Sequence, residues 1–510
     1  MVQPTPNVTI IGAGIGGLAA TLRLSHAGLR VTVLERAATP GGKMRTLPTP
    51  AGPVDAGPTV LTMKPVFDDL FAAVGARLQD HVTLEPEHVL ARHFWPDGAQ
   101  LDLTADRRES GENIAAVFGA KSALEFEKFA VKTQKLFDAF EKPMMQAAVP
   151  TQAALIGHVM KNPSLILAMQ PHLNMAQSVH RHFSDPRLAQ LFARYATYVG
   201  GVPNKAPSIL GLIAHSEAQG VWRVKGGMHT LAVAIEKLAV KFGAEFRYNT
   251  HAERIETQND CVCAVQTRDG RIPTDVVLFN GDPRALAQGH LGQTPITAIP
   301  NDATEPRSLS ANVLSFAARA HGLPLAAHNV LFADDPRAEY TPLAKGQPQT
   351  DPTLYICAED HFGGSMPSDL ERFEIIMNAP AVPDGTTHSP KERQQCQTQI
   401  LDRLRSFGLT FTPQPPDQTL TMPADFAQMF PASNGSLYGR SPHGMMAAFK
   451  RPTARTALKG LYLVGGGAHP GAGVPMATLC AQHAAGAIMQ DLTLTSTSRQ
   501  ADMRGGMSTV

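Results

Sequence analysis

Cysteine is scarce in this chain, and the few cysteines form no recognisable pattern. The 510 residues contain five, at Cys261, Cys263, Cys357, Cys396 and Cys480. An odd and scattered set makes neither a disulfide framework nor a zinc-binding pattern. The sequence therefore predicts a protein of a reducing compartment without a metal site.

The chain also lacks an excess of charge of either sign. Lysine and arginine together number 45, aspartate and glutamate number 44, and the net charge is +1. Nucleic-acid partners favour strongly basic surfaces, so this balance argues against nucleic acid as a partner. We expect a ligand that is small or neutral.

No apolar run reaches the roughly 18–20 residues that are needed to span a bilayer. The best candidates, residues 153–160 and 165–169, are separated by Lys161, Asn162 and Pro163. No charged and then apolar leader precedes the first predicted strand. The sequence therefore predicts a cytoplasmic protein that is not an integral membrane protein.

The most informative motif that is present lies in the first 35 residues. An apolar strand runs into the glycine loop at residues 12–17, and an apolar helix then leads to a second strand that ends at Glu35. This pattern is typical of dinucleotide binding, with the phosphates at the helix N-terminus. Gly12 permits the tight turn, Gly14 lets a pyrophosphate approach, and Gly17 lets helix and strand pack closely. The Glu35 carboxylate is placed to accept hydrogen bonds from a ribose diol.

Further motifs favour a flavin over a nicotinamide, because a permanently held flavin is contacted along its whole length and recruits distant segments. Residues 41–45 (GGKMR) bring two glycines and Arg45, a cation for a diphosphate or a reduced flavin. Residues 55–59 (DAGPT) form another tight turn. The glycine loop at 465–475 follows a strand and opens a helix, so its N–H groups are available to a cofactor.

The order of the predicted elements places the cofactor domain in separate segments of the chain. We predict an α/β fold with a discontinuous Rossmann-type FAD-binding domain, an α+β substrate domain and a helical subdomain with a candidate membrane-docking surface. The FAD-binding domain takes residues 1–75, 215–284 and 452–492, the substrate domain 76–112 and 285–451, the helical subdomain 113–214, and a disordered Ser/Thr/Gly-rich tail 493–510.

The helical subdomain allows two interpretations. Its sequence is rich in Met, Leu and Phe and contains no acidic residue at 144–176. In the first interpretation the apolar stripes form the subdomain's own core, as such stripes usually do. In the second, part of this surface docks on a bilayer or lines the mouth of an apolar tunnel. The sequence leaves both open.

Taken together, these motifs resemble the carotenoid (phytoene) desaturase family of FAD-dependent oxidoreductases. The resemblance extends over nearly the whole chain, at residues 8–45, 55–59, 199–203, 217–228 and 463–476. The C-terminal loop GGGAHPGAGVPMA, with APS at 206–208 and GVW at 220–222, is most similar to the 1-hydroxycarotenoid 3,4-desaturase subfamily of purple phototrophic bacteria.

The resemblance implies FAD as cofactor and 3,4-desaturation of a 1-hydroxyneurosporene-type acyclic carotenoid, in spheroidene- or spirilloxanthin-type biosynthesis. Such a C40 chain is almost wholly apolar, so we expect peripheral attachment to the inner or photosynthetic membrane, from which the substrate is taken. The sequence does not identify the electron acceptor. The predicted FAD-binding residues are Gly12, Gly14, Ile15, Gly16, Gly17, Glu35, Arg36, Gly42, Lys43, Arg45, Gly57, Pro58, Thr59, Ala252, Asp282, Gly466, Gly467, Gly473, Val474 and Met476.

Desaturation next to a polyene needs a hydride acceptor and a proton acceptor, and the protein contributes mainly positioning and exclusion of water. No nucleophile triad or metal-binding motif is present, which fits this chemistry. Candidate proton-handling residues are Glu217 and His215, with His229 a weaker one. A charge-pairing role competes for Glu217, and a structural role for His469 in the C-terminal loop.

Three alternatives remain open. A phytoene desaturase would use the same cofactor and reaction at another position of the polyene. An amine oxidase would frame the flavin with aromatic residues and in some members bind it through a cysteine, but Cys480 lies downstream of the C-terminal loop. A non-catalytic prenyl-lipid carrier of the GDP-dissociation-inhibitor type would not need the full set of flavin motifs.

Overall fold

The computed structural model describes residues 5–361 and 370–505. Its strands are β1 Asn7–Ile11, β2 Arg30–Leu34, β3 Thr46–Leu47, β4 Val54–Asp55, β5 Leu84–Pro86, β6 Val89–Phe94, β7 Gln100–Thr104, β8 Trp222–Val224, β9 Glu245–Arg247, β10 Ala252–Gln258, β11 Cys261–Thr267, β12 Gly270–Pro273, β13 Val276–Phe279, β14 Ser310–His321, β15 His328–Leu331, β16 Leu354–Ala358, β17 Glu371–Ala379, β18 Thr410–Thr412, β19 Leu420–Thr421 and β20 Leu461–Leu463.

The α-helices are α1 Ile15–His26, α2 Lys64–Ala72, α3 Arg107–Phe118, α4 Ala120–Phe140, α5 Gln152–Lys161, α6 Ser164–Met169, α7 Met175–His182, α8 Pro186–Ala193, α9 Leu212–Ala218, α10 Met228–Lys241, α11 Arg284–Ala287, α12 Pro336–Leu343, α13 Pro390–Ser406, α14 Pro423–Met429, α15 Ala447–Lys450 and α16 Val474–Gly505. A π-helical turn spans Glu141–Met145, and 3₁₀ turns span Leu78–Asp80, Arg194–Val199, Ser208–Gly211, Thr294–Ala298, Asn301–Ala303 and Asp417–Thr419.

A parallel sheet joins the beginning, the middle and the end of the chain. Its five strands among the described residues run in the order β20-β13-β1-β2-β9. Such a sheet is covered on both faces, which explains why β1, β2 and β13 are apolar runs rather than alternating patterns. Helix α1 packs against α10 and α16, and Ile10, Leu22, Val33 and Leu278 are fully buried in the core between them. The predicted α/β fold with a discontinuous Rossmann-type domain is confirmed.

A second, mainly antiparallel sheet forms the other large layer. Eight of its strands are described, in the order β18-β14-β17-β16-β15-β6-β7 with β19 also paired to β14. Side chains alternate along these strands, so that Phe316, Phe373 and Ile375 face a core that contains Ile400 and Leu404 of α13. The opposite face is therefore free to contact the cofactor domain and the helical region.

Helices α3 to α9 form the helical region, which contains two apolar clusters. Phe126, Phe129 and Phe192 stack with neighbouring rings in one cluster. A second cluster contains Phe140 and Leu165 and is described below with the site. Among the described residues, no helix is both long enough and apolar enough to cross a bilayer.

Three observations bear on the predicted segments, whose boundaries stay predictions. Strand β5, in the segment assigned to the substrate domain, pairs with β8, and Leu78 and Val82 belong to the core of the parallel sheet. Helix α9, whose second half was assigned to the cofactor domain, packs against α4. The composition of residues 493–510 predicts disorder, whereas α16 continues to Gly505, since extending a formed helix costs little; residues 506–510 lie outside the described part.

Candidate functional site

The glycine loop of residues 12–17 lies between β1 and α1 and touches the C-terminal glycine loop directly. A Cβ atom on Gly17 would lie 2.2 Å from the Gly12 carbonyl oxygen, and one on Gly16 would lie 2.8 Å from Gly465 Cα. Ile15, which lies between Gly14 and Gly16, begins α1 and packs against the core of the parallel sheet. A larger side chain at Gly16 would force the two loops apart, and one at Gly17 would distort the first loop itself.

Asn280 joins both glycine loops, and the sequence motifs did not identify it. Its side-chain Nδ2 donates to the carbonyl oxygens of Gly12 (3.0 Å) and Gly14 (3.3 Å). A Cβ on Gly465 would lie 2.6 Å from Asn280 Oδ1. The available signal was its position immediately after β13, since ligands bind at the carboxyl ends of parallel strands.

Asp282, which we predicted as an FAD-binding residue, is engaged by the protein itself. Its carboxylate forms an ion pair with Arg307, and both side chains are 8% exposed. Asp282 also accepts a hydrogen bond from the Arg284 backbone N–H at 3.0 Å. The negative charge of the Asp282 carboxylate is thereby paired within the protein, and the carboxylate is held in place. A direct contact between Asp282 and FAD stays a prediction.

Glu35 directly follows β2 and accepts hydrogen bonds from the first loop and from the backbone just after β2. Its Oε2 accepts from the Ala13 N–H and its Oε1 from the Ala37 N–H, each at 2.7 Å. Arg36 beside it is exposed, and Ala252 is buried at the start of β10. The position of Glu35 at the strand end fits the predicted ribose contact.

The turn at residues 41–45 packs against the first glycine loop and carries two cationic side chains, Lys43 and Arg45. A Cβ on Gly42 would lie 3.1 Å from Gly14 Cα, so the two turns are in close contact. Lys43 Nζ donates to the Leu437 carbonyl at 2.6 Å, and burial lowers the Lys43 pKa to about 8. Arg45 Nη2 donates to Thr421 Oγ1 at 2.9 Å, and burial also lowers its pKa.

The turn at residues 57–59 packs against the backbone of the turn at residues 41–45. A Cβ on Gly57 would lie 1.9 Å from the Lys43 carbonyl oxygen, so only glycine fits there. Pro58 follows it, and the buried Thr59 hydroxyl lies 2.7 Å from the Tyr355 hydroxyl of the second sheet. This turn therefore connects the cofactor domain with the substrate-domain sheet.

Arg451 holds the C-terminal glycine loop through a hydrogen bond, and the sequence motifs did not identify this residue. Arg451 Nη1 donates to the Gly466 carbonyl at 2.9 Å, and burial lowers its pKa to about 10. A Cβ on Gly467 would lie 2.4 Å from Pro283 Cδ. Gly473 adopts a positive φ of 110° just before Val474 begins α16. Met476, two residues into that helix, packs against an apolar cluster of the helical region.

These residues fit FAD as a cofactor. Glycine turns from distant segments pack backbone to backbone around the N-terminus of α1, where a helix end favours the phosphates of a dinucleotide. Among the described residues, the buried Arg45 Nε and Asp55 Oδ1 have no hydrogen-bond partner. The buried cations Lys43 and Arg45 complement the negative charge that a diphosphate carries.

Three buried acids lie beside this site. Asp55 accepts a hydrogen bond from the Met228 N–H at 2.8 Å at the start of α10. Burial raises the pKa of Glu374, and the nearby carboxyls of Asp55 and Glu359 raise it further. The positive charge of Arg45 acts in the opposite direction and lowers the Glu374 pKa. Neither these three acids nor any other group of three His, Cys, Asp or Glu side chains among the described residues is arranged to hold a metal ion.

The two candidate proton-handling residues share α9 but do not face the same surroundings. Glu217 Oε1 accepts from the Tyr195 hydroxyl at 2.5 Å, and burial raises the Glu217 pKa. His215 stacks obliquely on Phe137 with ring centroids 5.4 Å apart. Two residues on a helix are separated by about 200° around its axis, which accounts for the difference.

The two weaker histidine candidates have backbone partners. His229 Nε2 lies 3.0 Å from the Pro40 carbonyl. His469 Nε2 lies 2.8 Å from the Ala147 carbonyl of the helical region, and burial lowers the His469 pKa to about 4. Both are placed to hold loops in position.

A group of buried aromatic hydroxyls extends from Glu217 toward the turn at 57–59. The Arg194 guanidinium carbon lies 5.3 Å from the Tyr198 ring centroid and 5.8 Å from that of Tyr355. Arg194, Tyr198, Tyr355 and Glu217 keep part of their surface accessible, although burial raises the pKa of both tyrosines. These side chains therefore border an interior space between the helical region and the second sheet.

The chain matches known proteins over nearly its whole length. The model of the family described as flavin containing amine oxidoreductase matches residues 15–489. A hydroxyneurosporene desaturase from Cereibacter sphaeroides is 53% identical over 493 residues, which cover 96% of this chain and 99% of that relative. One from Rhodobacter capsulatus is 47% identical over 486 residues, or 95% and 98% of the two chains.

A solved structure supports the same fold. An oxidoreductase from Methanosarcina mazei superposes with a TM-score of 0.58 at 16% identity, covering 95% of this chain and 100% of its own. At this identity the likeness concerns the fold alone. The sequence relatives confirm the resemblance to carotenoid desaturases and FAD as the cofactor. The chain therefore belongs to the flavin containing amine oxidoreductase family, as an FAD-dependent oxidoreductase grouped with the hydroxyneurosporene desaturases.

Proposed function

We propose that this enzyme desaturates the C3–C4 bond of an acyclic carotenoid that carries a hydroxyl group on C1. The observation that carries this proposal is the 53% and 47% identity to hydroxyneurosporene desaturases over 95% or more of each chain. The substrate is accordingly of the 1-hydroxyneurosporene type.

The reaction removes one hydride and one proton from neighbouring carbons. C4 lies next to the conjugated chain, which delocalises the positive charge that develops as the hydride leaves. When bound, FAD supplies the acceptor for that hydride. The proton leaves C3 for a base of the protein, and the C3–C4 double bond forms from the electrons of the C3–H bond.

The apolar cluster at the C-terminal loop supports a long hydrocarbon substrate. Met476, in the first turn of α16, packs against buried side chains of α4, α6 and α9 that include Leu136, Phe140, Leu165 and Leu212. An apolar lining thus reaches the cofactor loop from the helical region. A polyene requires such a lining along its length, because water cannot solvate it.

Glu217 is our proposed proton acceptor. It is buried, it retains accessible surface toward the interior space, and its carboxylate is oriented by the Tyr195 hydroxyl. Burial raises its pKa, which brings a carboxylate closer to the basicity of an effective general base. His215 is a weaker candidate, because its ring packs on Phe137.

Helices α5 and α6 support docking on a membrane surface. No residue of α5 is fully buried, and Ile156, Met160 and Leu167 are 61%, 66% and 80% exposed. Lys142 and Lys161 flank them, and no acidic residue occurs at 144–176. An exposed apolar face bordered by cations is the composition of a helix that lies in the interface of an anionic bilayer.

Product analysis tests the function and separates it from a phytoene desaturase. The FAD-loaded enzyme is incubated with 1-hydroxyneurosporene or with phytoene, each dispersed in lipid, together with an artificial quinone as electron acceptor. We expect the 3,4-desaturated product from the hydroxylated substrate. Conversion of phytoene alone would contradict the proposal, and would favour the phytoene desaturase alternative.

A further inference from the structure

We propose that Thr59, Tyr355 and His328 bind the hydroxyl group of the carotenoid and make the enzyme selective for hydroxylated substrates. This inference rests on the proposed function. The three side chains form a buried hydrogen-bond chain, which we call the hydroxyl relay. No motif in the sequence connects them.

The relay crosses from the cofactor domain to the second sheet. Thr59 Oγ1 lies 2.7 Å from the Tyr355 hydroxyl, and that hydroxyl lies 2.8 Å from His328 Nδ1. The His328 and Tyr355 rings are stacked with an interplanar angle of 15°. Thr59 follows β4, while Tyr355 and His328 lie on the adjacent strands β16 and β15.

Strand alternation directs Tyr355 toward the cofactor domain. Leu354, Ile356 and Ala358 of β16 are buried in the core beneath α13. Tyr355 and Cys357 point to the opposite face, where Thr59 approaches. Tyr355 keeps part of its surface accessible, whereas Thr59 and His328 are buried.

The chemistry of the substrate requires a polar site next to the cofactor. The hydroxyl oxygen and C3 are separated by three bonds, so they lie within about 4 Å of each other. C4, the neighbour of C3, has to be at hydride-transfer distance from the cofactor, so the hydroxyl is bound close to the cofactor loops. The turn that carries Thr59 packs against the turn at residues 41–45, since a Cβ on Gly57 would lie only 1.9 Å from the Lys43 carbonyl oxygen.

The relay is suited to an uncharged alcohol. Burial lowers the His328 pKa to about 4, so the imidazole is neutral at neutral pH. Thr59 and Tyr355 each carry one O–H that can donate or accept, and the chain can reverse its direction. A neutral relay can therefore either donate to or accept from the substrate hydroxyl without placing a charge beside the polyene.

A site that offers hydrogen bonds to a hydroxyl discriminates against an analogue that lacks it, because the analogue cannot make those bonds. An apolar pocket, in contrast, distinguishes the two only weakly. The relay therefore predicts a preference for 1-hydroxyneurosporene over neurosporene, the same chain without the hydroxyl. This preference should depend on the Thr59 and Tyr355 hydroxyls.

The test compares Tyr355→Phe and Thr59→Val with the wild-type enzyme. Equilibrium binding of both carotenoids is measured in detergent micelles by quenching of tryptophan fluorescence, with the enzyme reduced so that no turnover occurs. The ratio of kcat/KM for the two substrates is measured separately. We expect each variant to reduce the preference for the hydroxylated substrate about tenfold or more, with neurosporene binding unchanged.

Two controls keep the result specific. Tyr462→Phe removes a buried tyrosine hydroxyl that donates to Asp491 Oδ2 at 2.8 Å, away from the relay, and should leave the preference intact. Thr59→Ser retains a hydroxyl and should also retain the preference. Flavin absorbance and the thermal midpoint of each variant identify any that does not fold, in which case the remaining relay variant decides.

The outcomes separate this inference from the proposed function. Wild-type enzyme that converts no hydroxylated carotenoid would overturn the proposed function. Wild-type enzyme that binds and converts both carotenoids equally would overturn the relay and leave desaturation standing. An unchanged preference in folded Tyr355→Phe and Thr59→Val would also overturn the relay.

Discussion

Gly16 shows how little room the cofactor loops leave for a side chain. A Cβ there would lie 2.8 Å from Gly465 Cα and 2.9 Å from Gly465 N, both backbone atoms that cannot rotate away. We expect Gly16→Ala to separate the two loops, to lower stability by about 1–3 kcal/mol and to abolish retention of FAD. Flavin absorbance of the purified protein and its thermal midpoint are the measurements.

Gly486 provides the matched control for that substitution. It lies inside α16, and a Cβ built on it meets nothing within 4 Å. Gly486→Ala should keep FAD and gain about 0.5–1 kcal/mol, since alanine favours a helix. Equal flavin loss in both variants would show that the loop contact is not responsible.

The buried carboxyl of Glu217 predicts a distinctive pH profile. Burial raises its pKa, so the fraction of carboxylate that can accept a proton increases as the pH rises through that raised value. We expect kcat to rise with pH over this range, and Glu217→Gln to remove that limb and lower kcat about a hundredfold. FAD content should not change, because Glu217 contacts Tyr195 rather than the glycine loops.

A pH-independent kcat in the wild type, or full activity of Glu217→Gln, would show that the carboxylate serves charge pairing alone. The same kinetic measurements on His215→Ala compare the two candidates. We expect a smaller loss there, because His215 packs against Phe137.

The glycines and Glu35 could be predicted from the sequence because they lie within one local motif, whose spacing carries the geometry. Asn280 and Arg451 could not be predicted in the same way. Asn280 acts on Gly12 and Gly14 across more than 260 positions of the chain, and the nearby Asp282 is the more conspicuous polar residue. Which polar side chain meets a distant loop depends on strand pairing and packing.

At the scale of elements, α5 and α6 carry the exposed apolar side chains. We expect substitution of these side chains by charged ones to weaken membrane binding. Ile156→Glu combined with Leu167→Glu places two carboxylates on that face. Burying each such side chain in lipid contributes about 1.5–3 kcal/mol, so we expect at least a tenfold loss of binding to vesicles of phosphatidylcholine and phosphatidylglycerol. Cosedimentation with the vesicles provides the measurement.

Helix α4 offers a matched pair of exposed apolar residues outside this face. Leu124 and Val131 are 64% and 54% exposed. Leu124→Glu combined with Val131→Glu should leave vesicle binding intact. If both pairs reduced binding equally, the membrane contact would not be confined to α5 and α6.

Secondary structure was predictable where a pattern is long and regular. The first strand–helix–strand unit, the hairpin of β6 and β7, and the helices between residues 113 and 199 follow directly from apolar periodicity and turn residues. The pairing of β5 with β8 was not predictable, because both are three-residue strands far apart in the sequence. The Ser/Thr-rich composition of the tail also gave no sign that α16 continues to Gly505.

At the scale of the whole molecule, the predicted FAD site combines segments from the start, the middle and the end of the chain. Binding to these segments together stabilises only the folded state. We expect FAD at roughly a thousand times its Kd to add about 4 kcal/mol to the free energy of unfolding. Differential scanning fluorimetry of the FAD-free protein with increasing FAD should show a rising midpoint, whereas Gly16→Ala should show none.

The contact between Gly16 and Gly465 also has a consequence for synthesis of the protein on the ribosome. The first half of the cofactor site is translated early, but its partner loop emerges about 450 residues later. At elongation rates of about 5–20 residues per second this delay is roughly 20–90 s. Until then the nascent chain exposes an incomplete nucleotide site and the edge of β13 that β20 later covers. We therefore expect stable flavin incorporation only after the C-terminal glycine loop has emerged, and polypeptides truncated before Leu461 should not hold FAD.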